Sequence, residues 1–139
     1  MTYEQLTEPE LIAVAREFAL GLKGGEVIGL SGDLGAGKTT FVRAMVRAFL
    51  GDVRVVSPTF GILQEFKVGE GAIKTIVHVD AYRFKSAQEL AALELESYDQ
   101  ASTVMCIEWP ERVEGAIDWT HWIELNHDGE GRSVSIETL

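Results

Sequence analysis

The sequence predicts an α/β protein: a three-layer fold with a mixed, mainly parallel central sheet, formed by residues 1–139 as one domain. Three observations lead there. A glycine-rich loop, Gly32–Thr39, sits between a short apolar strand and an amphipathic helix. Apolar strand-like runs then alternate with helical stretches, the order that builds a sheet covered by helices. Two pairs of strand-like runs, Gly61–Val79 and the tail from His121 to Thr138, have no helix between them, so antiparallel pairs are expected beside the parallel ones.

Each element follows from local chemistry. Thr7-x-x-Glu10 is a capping box, with Pro9 tolerated in the first turn. Leu11, Val14, Ala15, Phe18 and Leu22 then recur at helical spacing, and Gly24-Gly25 is expected to stop that helix. Glu26 to Leu30 reads as a strand entering the glycine-rich loop. Lys38 to Leu50 reads as a helix with an apolar face of Phe41, Val42, Met45, Val46 and Phe49. Arg54–Val56 is a short strand candidate before Ser57-Pro58. Gly61 to Val68 and Ile73 to Val79 are strands around a turn at Gly69-Glu70-Gly71. Ser86-x-x-Glu89 is a second capping box, expected to open a helix reaching Tyr98. Thr103 to Ile107 is a strand ending at Glu108. His121–Asn126 and Arg132–Thr138 form a hairpin with Asp128-Gly129 in its turn.

Bulk properties narrow the function classes. A chain of 139 residues with 46% hydrophobic content has the size and apolar content for one core. Its single cysteine, Cys106, leaves no internal disulfide framework. No run approaches the roughly 18 apolar residues that cross a bilayer, and the first residues lack the basic and apolar regions of a signal peptide, so a cytoplasmic location is expected. The net charge of −10 argues against stand-alone binding of nucleic acid, which is driven by neutralising phosphates. Arg43, Arg47 and Arg54 read as a solvated face rather than an RNA footprint.

The loop Gly32-Asp33-Leu34-Gly35-Ala36-Gly37-Lys38-Thr39 matches G-x-x-x-x-G-K-[ST] in full, with the strand before it and helix after it that the motif requires. Glycines let the backbone curl around a phosphate without Cβ clashes. Amide hydrogens and the helix N-terminus then face the anion. Lys38 supplies a charge for the β- and γ-phosphates, and the Thr39 hydroxyl an oxygen for Mg²⁺. Thr40 follows at the same helix start. The predicted ligands are therefore a nucleoside triphosphate, read as ATP although the loop itself does not select adenine, and Mg²⁺, and the fold is of the P-loop NTPase type.

Two strands deliver carboxylates at their ends: Ile76–Asp80 and Val104–Glu108. Ligands of open α/β sheets bind at such ends. One acid can hold the metal while the other orients or deprotonates a water. The plainer alternative for either is a helix cap or a pair with Arg83 or Arg112. His78 lies two residues before Asp80, on the same side of the strand; a packed or supporting role and a catalytic one are both open. Cys106 reads as core. Trp109, after Glu108, is placed to lie over the nucleotide or a partner, or simply to pack. Ser57-Pro58-Thr59-Phe60 follows the phosphate-loop helix, where such proteins often carry a segment that senses the γ-phosphate; a Pro turn with local hydroxyl bonds is the alternative.

In this order and at this length, the loop Gly32–Thr39, Ser57-Pro58-Thr59-Phe60, His78-x-Asp80-x-Tyr82-Arg83 and Glu108-Trp109-Pro110 resemble the small bacterial ATPase family TsaE (formerly YjeE). The resemblance covers nearly the whole chain. It implies an ATPase that supports the threonylcarbamoyladenosine modification of tRNA beside the anticodon, with TsaD and TsaB as partners. It further implies that Lys38 holds phosphate, Thr39 and Glu108 hold Mg²⁺, and Asp80 acts in hydrolysis. By the same resemblance Ser57 and Thr59 would belong to the nucleotide-sensing segment, and Trp109 would lie near the nucleotide. Glu94 departs from the pattern, standing where a glycine is expected.

The competing readings are a small-molecule or nucleoside kinase and a nucleotide-binding scaffold without significant turnover. A kinase usually carries a lid with arginines. Here the arginines after the phosphate-loop helix are scattered at 54, 83, 112 and 132. No Asn-Lys-x-Asp segment is present to read guanine.

Overall fold

The structure, a computed structural model, describes residues 1–50, 62–69 and 71–139. Its chain order is β1 (Thr2–Leu6), α1 (Glu8–Leu20), β2 (Val27–Ser31), α2 (Lys38–Leu50), β3 (Leu63–Lys67), β4 (Thr75–Asp80), β5 (Thr103–Glu108), β6 (His121–Asp128) and β7 (Gly131–Thr138). Short 3₁₀ segments lie between β4 and β6.

The strands form one sheet in the order β1-β7-β6-β2-β5-β4-β3. Neighbours β6, β2, β5 and β4 run parallel, β3 runs antiparallel to β4, and β7 runs antiparallel to both β6 and β1. Five of the seven strands therefore point the same way, and the expected mixed, mainly parallel sheet is what forms. The parallel register sets Asp80 beside Glu108 and His78 beside Cys106.

Alternation along the strands sorts side chains to two cores. Ile28, Leu30, Ile76, Val104, Cys106, Ile123 and Leu125 face α1 and α2. Val77, Val79 and Ile107 face the other side, against Phe84, Leu90 and Val113. Helix α2 buries Phe41, Val42, Met45 and Val46, the stripe expected from its spacing. Fully burying each such side chain is worth about 1.5–3 kcal/mol. Helix α1 opens on its capping box: Thr7 Oγ1 accepts from Glu10 N at 3.3 Å and Glu10 Oε1 accepts from Thr7 N at 2.9 Å.

Four expectations are corrected. Helix α1 ends at Leu20, not near Leu22, because Gly21 N and Leu22 N turn back onto the carbonyls of Phe18 and Ala19, each at 3.1 Å. Gly24-Gly25 instead tie the chain to β5, with Gly25 N donating to Thr103 O at 2.9 Å. The stretch from Ser86 to Tyr98 is not one α-helix but two 3₁₀ segments, Ala87–Leu93 and Leu95–Ser97, hinged at Glu94. On an α-helix residues 93 and 95 stand about 200° apart. The hinge lets Leu90, Leu93, Leu95 and Tyr98 all pack on the second core. Glu94 adopts a left-handed backbone, φ 51°, at the position where a glycine is expected. Finally, Thr2–Leu6 forms an unexpected edge strand, and Pro110–Val113 an unexpected 3₁₀ turn.

The Arg54–Val56 strand candidate, Ser57-Pro58-Thr59-Phe60 and Glu70 lie outside the described residues. Among the described residues no helix is long and apolar enough to cross a membrane.

Candidate functional site

Three parallel strands end together at one edge of the sheet. Trp109 N donates to Leu30 O at 3.2 Å and Ala81 N to Glu108 O at 3.1 Å, fastening the ends of β2, β5 and β4. The glycine-rich loop leaves β2 at this edge and enters α2. Gly32 has φ 147°, and a Cβ there would lie 2.2 Å from Leu125 O, so only glycine fits. Gly35 and Gly37 also have positive φ, 77° and 107°. Ala36 is buried, and its N–H donates to Asp33 O at 3.1 Å. The loop is thereby held as a rigid curl at a helix N-terminus, the shape that cradles an anion.

A cleft of about 250 Å³ opens over this curl. Of the expected residues, Leu34, Gly35, Gly37, Lys38, Thr39, Thr40, Asp80, Glu108 and Trp109 line it. Gly32 and Asp33 meet it through their backbone carbonyls, which accept from Lys38 Nζ, the Asp33 bond measuring 2.9 Å. Ser57 and Thr59 lie outside the described residues. Two larger clefts, about 570 and 590 Å³, lie elsewhere; among the described residues their linings carry carboxylates but no lysine or arginine and no part of the glycine-rich loop. Chemistry, not size, picks the loop cleft.

Lys38 is only 5% exposed. Its Nζ sits 4.1 Å from the centroid of the Trp109 ring. Burial pulls the Lys38 ammonium below the ordinary lysine range, while the charges of Glu108, Glu111, Asp80 and Asp33 push it back up. A desolvated cation held on two carbonyls gains from an incoming phosphate, so the residue fits a triphosphate.

Glu108 is 3% exposed, and a carboxylate so buried needs partners. Thr39 Oγ1 lies 3.3 Å from its Oε1 and 3.2 Å from its Oε2. His78 Nε2 lies 2.5 Å from the same Oε2. A hydroxyl and a carboxylate converging beside a phosphate curl make a hard-oxygen donor set that fits Mg²⁺, which keeps few protein ligands and completes its shell with phosphate and water. No cluster of three or more metal-ligating side chains occurs among the described residues. Asp80 stands half-buried in the next strand; its Oδ1 accepts from Tyr82 N at 3.0 Å. Among the described residues neither acid forms an ion pair with Arg83 or Arg112, so the plain ion-pair alternative is not realised there.

Cys106, two residues before Glu108 on β5, is core as expected; burial first, and then the Glu108 charge, push its thiol up to about 12. Trp109 adopts a left-handed backbone, φ 59°, ahead of Pro110, and its ring meets Tyr82 at 4.9 Å between centroids. Sequence reasoning gave Tyr82 no role, yet it lines the cleft. It also missed His127 and Arg132, which reach the loop from the tail hairpin. Arg132 donates to Gly35 O at 3.0 Å, and His127 Nε2 lies 3.4 Å from Leu34 O. Their only signal is topological: β6 lies parallel to β2, which carries its far end to the loop.

Comparison with known proteins identifies the family. The family model described as "Threonylcarbamoyl adenosine biosynthesis protein TsaE" matches residues 6–134. A Rickettsia bellii protein named tRNA threonylcarbamoyladenosine biosynthesis protein TsaE is 38% identical over 121 residues, 86% of this chain and 81% of that protein. The Rickettsia felis protein of the same name is 38% identical over 107 residues, 76% of this chain but 60% of its own length. The crystal structure of Bacillus subtilis YdiB superimposes with a TM-score of 0.78 at 28% identity, covering 99% of this chain and 84% of that one. With the model spanning nearly every described element, the chain belongs to the TsaE family.

Proposed function

We propose that the chain is a Mg²⁺-dependent ATP-binding protein with slow ATPase activity. It supports a cytoplasmic partner complex of TsaD- and TsaB-type proteins that makes the threonylcarbamoyladenosine modification of tRNA next to the anticodon. One observation carries the nucleotide part: Lys38 Nζ rests on the loop carbonyls while Thr39 Oγ1 and Glu108 converge within 3.3 Å at the same edge. The pathway part is supported by family membership.

In this reading the amides of Gly32–Thr39, with Thr40 behind them, surround the phosphates. Lys38 leaves the carbonyls of Gly32 and Asp33 for the β- and γ-phosphates. Thr39 and Glu108 hold Mg²⁺, which, when bound, draws negative charge off the phosphate oxygens. Asp80 orients the attacking water and takes its proton. Trp109 covers Lys38 and excludes solvent from it. Ser57 and Thr59 belong to the nucleotide-sensing segment by resemblance alone. The net charge of −10 leaves most contact with tRNA to the partner subunits.

The test is phosphate release from ATP with Mg²⁺, by the chain alone and with TsaD- and TsaB-type proteins. Slow release that the partners accelerate is expected. Transfer of the phosphoryl group to a metabolite would instead make the chain a kinase.

A further inference from the structure

We infer that His78 is a positioning residue for Glu108: its imidazole pins one carboxylate oxygen, so that the other stays aimed at the Thr39 hydroxyl and the Mg²⁺ position. The inference rests on the proposed function, since Glu108 has a metal to serve only if the cleft binds Mg²⁺ with nucleotide.

The geometry is a short chain of contacts between three strand and helix ends. His78 lies on β4, two residue pairs below Asp80 and Glu108 in the parallel register, with its side chain on the α1 and α2 face. It is 1% exposed. Instead of pairing straight across with Cys106, its ring reaches diagonally up to Glu108, with Nε2 2.5 Å from Oε2. Against an ionised carboxylate, Nε2 must carry the hydrogen. The other ring nitrogen, Nδ1, is buried and has no hydrogen-bond partner among the described residues. Among the described residues the ring's one hydrogen-bond partner is therefore Glu108.

The consequence falls on Glu108. Oε2 is shared between His78 and Thr39, whereas Oε1 has only Thr39 Oγ1, at 3.3 Å. Fixing Oε2 restrains the carboxylate's rotation and leaves Oε1 as the oxygen without a histidine contact. Supporting partners of this kind orient metal-binding groups, and their loss typically weakens metal affinity or activity about 10–100-fold. Cys106, directly below, offers no substitute, because its thiol is a weak donor.

The test uses the full chain and three variants: His78→Leu, His78→Gln and His78→Asn. Leu keeps the volume and removes the donor. Gln carries an N–H at about the reach of Nε2, and Asn one that falls short of Glu108. ATP affinity is measured by calorimetry in EDTA and then as a function of Mg²⁺, with a thermal melt of each variant. Expected is an approximately 10-fold rise in half-saturating Mg²⁺ for His78→Leu and His78→Asn. The Gln variant should stay within about threefold of wild type, and ATP affinity in EDTA should be unchanged in all three. If His78→Leu does not fold, the Asn–Gln pair carries the comparison. The inference is overturned if Mg²⁺ dependence is unaltered in the Asn variant, if affinity falls equally with and without Mg²⁺, or if Gln is no better than Asn. A wild type without Mg²⁺-dependent ATP binding would overturn the proposed function, and this inference with it; the other outcomes sink this inference alone.

Discussion

Lys38 Nζ lies 4.1 Å from the centroid of the Trp109 ring, and this pairing joins the phosphate loop to the end of β5. A desolvated cation over an indole face gains about 2 kcal/mol or more, so the ring steadies the ammonium. When Lys38 turns from the loop carbonyls to phosphate, the field on the indole changes. ATP titration is therefore expected to change the tryptophan fluorescence in wild type and in Trp119→Phe, and to give no change in Trp109→Phe. Trp119 packs against Trp122 instead, at 5.6 Å between centroids. A full signal remaining in Trp109→Phe would place the reporter elsewhere.

Asp80 and Glu108 are neighbours in register, but only Glu108 meets Thr39. In the proposed function, that asymmetry assigns the metal-holding role to Glu108 and the water-orienting one to Asp80. Asp80→Asn keeps the size and can still accept from Tyr82 N. It is expected to hold ATP affinity within about threefold and to lower hydrolysis by about 10²–10⁴-fold. Turnover equal to wild type would leave Asp80 with no part in the chemistry.

Glu94 holds a left-handed backbone at φ 51° and is exposed. For a residue with a Cβ this conformation costs roughly 1–2 kcal/mol; glycine avoids it but gives the unfolded chain more entropy to lose on folding. Glu94→Gly is thus expected to stabilise the chain by about 0.5–1 kcal/mol in urea unfolding. Destabilisation would mean that the Glu94 side chain makes a contact worth more than the strain.

The same residue shows how far the sequence could be read. The departure from the family pattern at Glu94 was visible as a missing glycine, but the change from an α-helix to two 3₁₀ segments was not. The capping box and apolar spacing of 86–98 argue for a helix locally; docking of Leu93 and Leu95 on one sheet face decides otherwise. The phosphate loop, α2 and the acidic strand ends were legible because their chemistry is local. Strand β1 was not, since its mostly exposed residues gain their structure from pairing with β7 at the far end of the chain. Arg132 and His127 escaped for the same reason. His78 was legible as a neighbour of Asp80, but its bond to Glu108 depends on the β4–β5 register.

Cys106 provides a pH-dependent check on the packing under Glu108. Its thiol rises from an ordinary value near 9 to about 12, mainly through burial. A group whose folded pKa is raised lends stability in full below its unfolded pKa and loses it as pH climbs toward the folded value. Between about pH 9 and 12 the wild type is therefore expected to lose stability more steeply than Cys106→Ala, and at pH 7 the native thiol should resist aromatic disulfide reagents. Parallel pH curves, or rapid labelling of the folded chain, would show that the thiol is not sealed beneath the site.

The most direct measurement of the central claim is a calorimetric titration of ATP with Mg²⁺ into wild type and Lys38→Ala. Removing the one cation that, among the described residues, lines the loop cleft should weaken affinity by about 10–100-fold, the worth of a charge-assisted contact. Saturable binding by wild type with that loss in Lys38→Ala is the predicted result. Equal ATP affinity in the two proteins would contradict the assignment of Gly32–Thr39 as the nucleotide site.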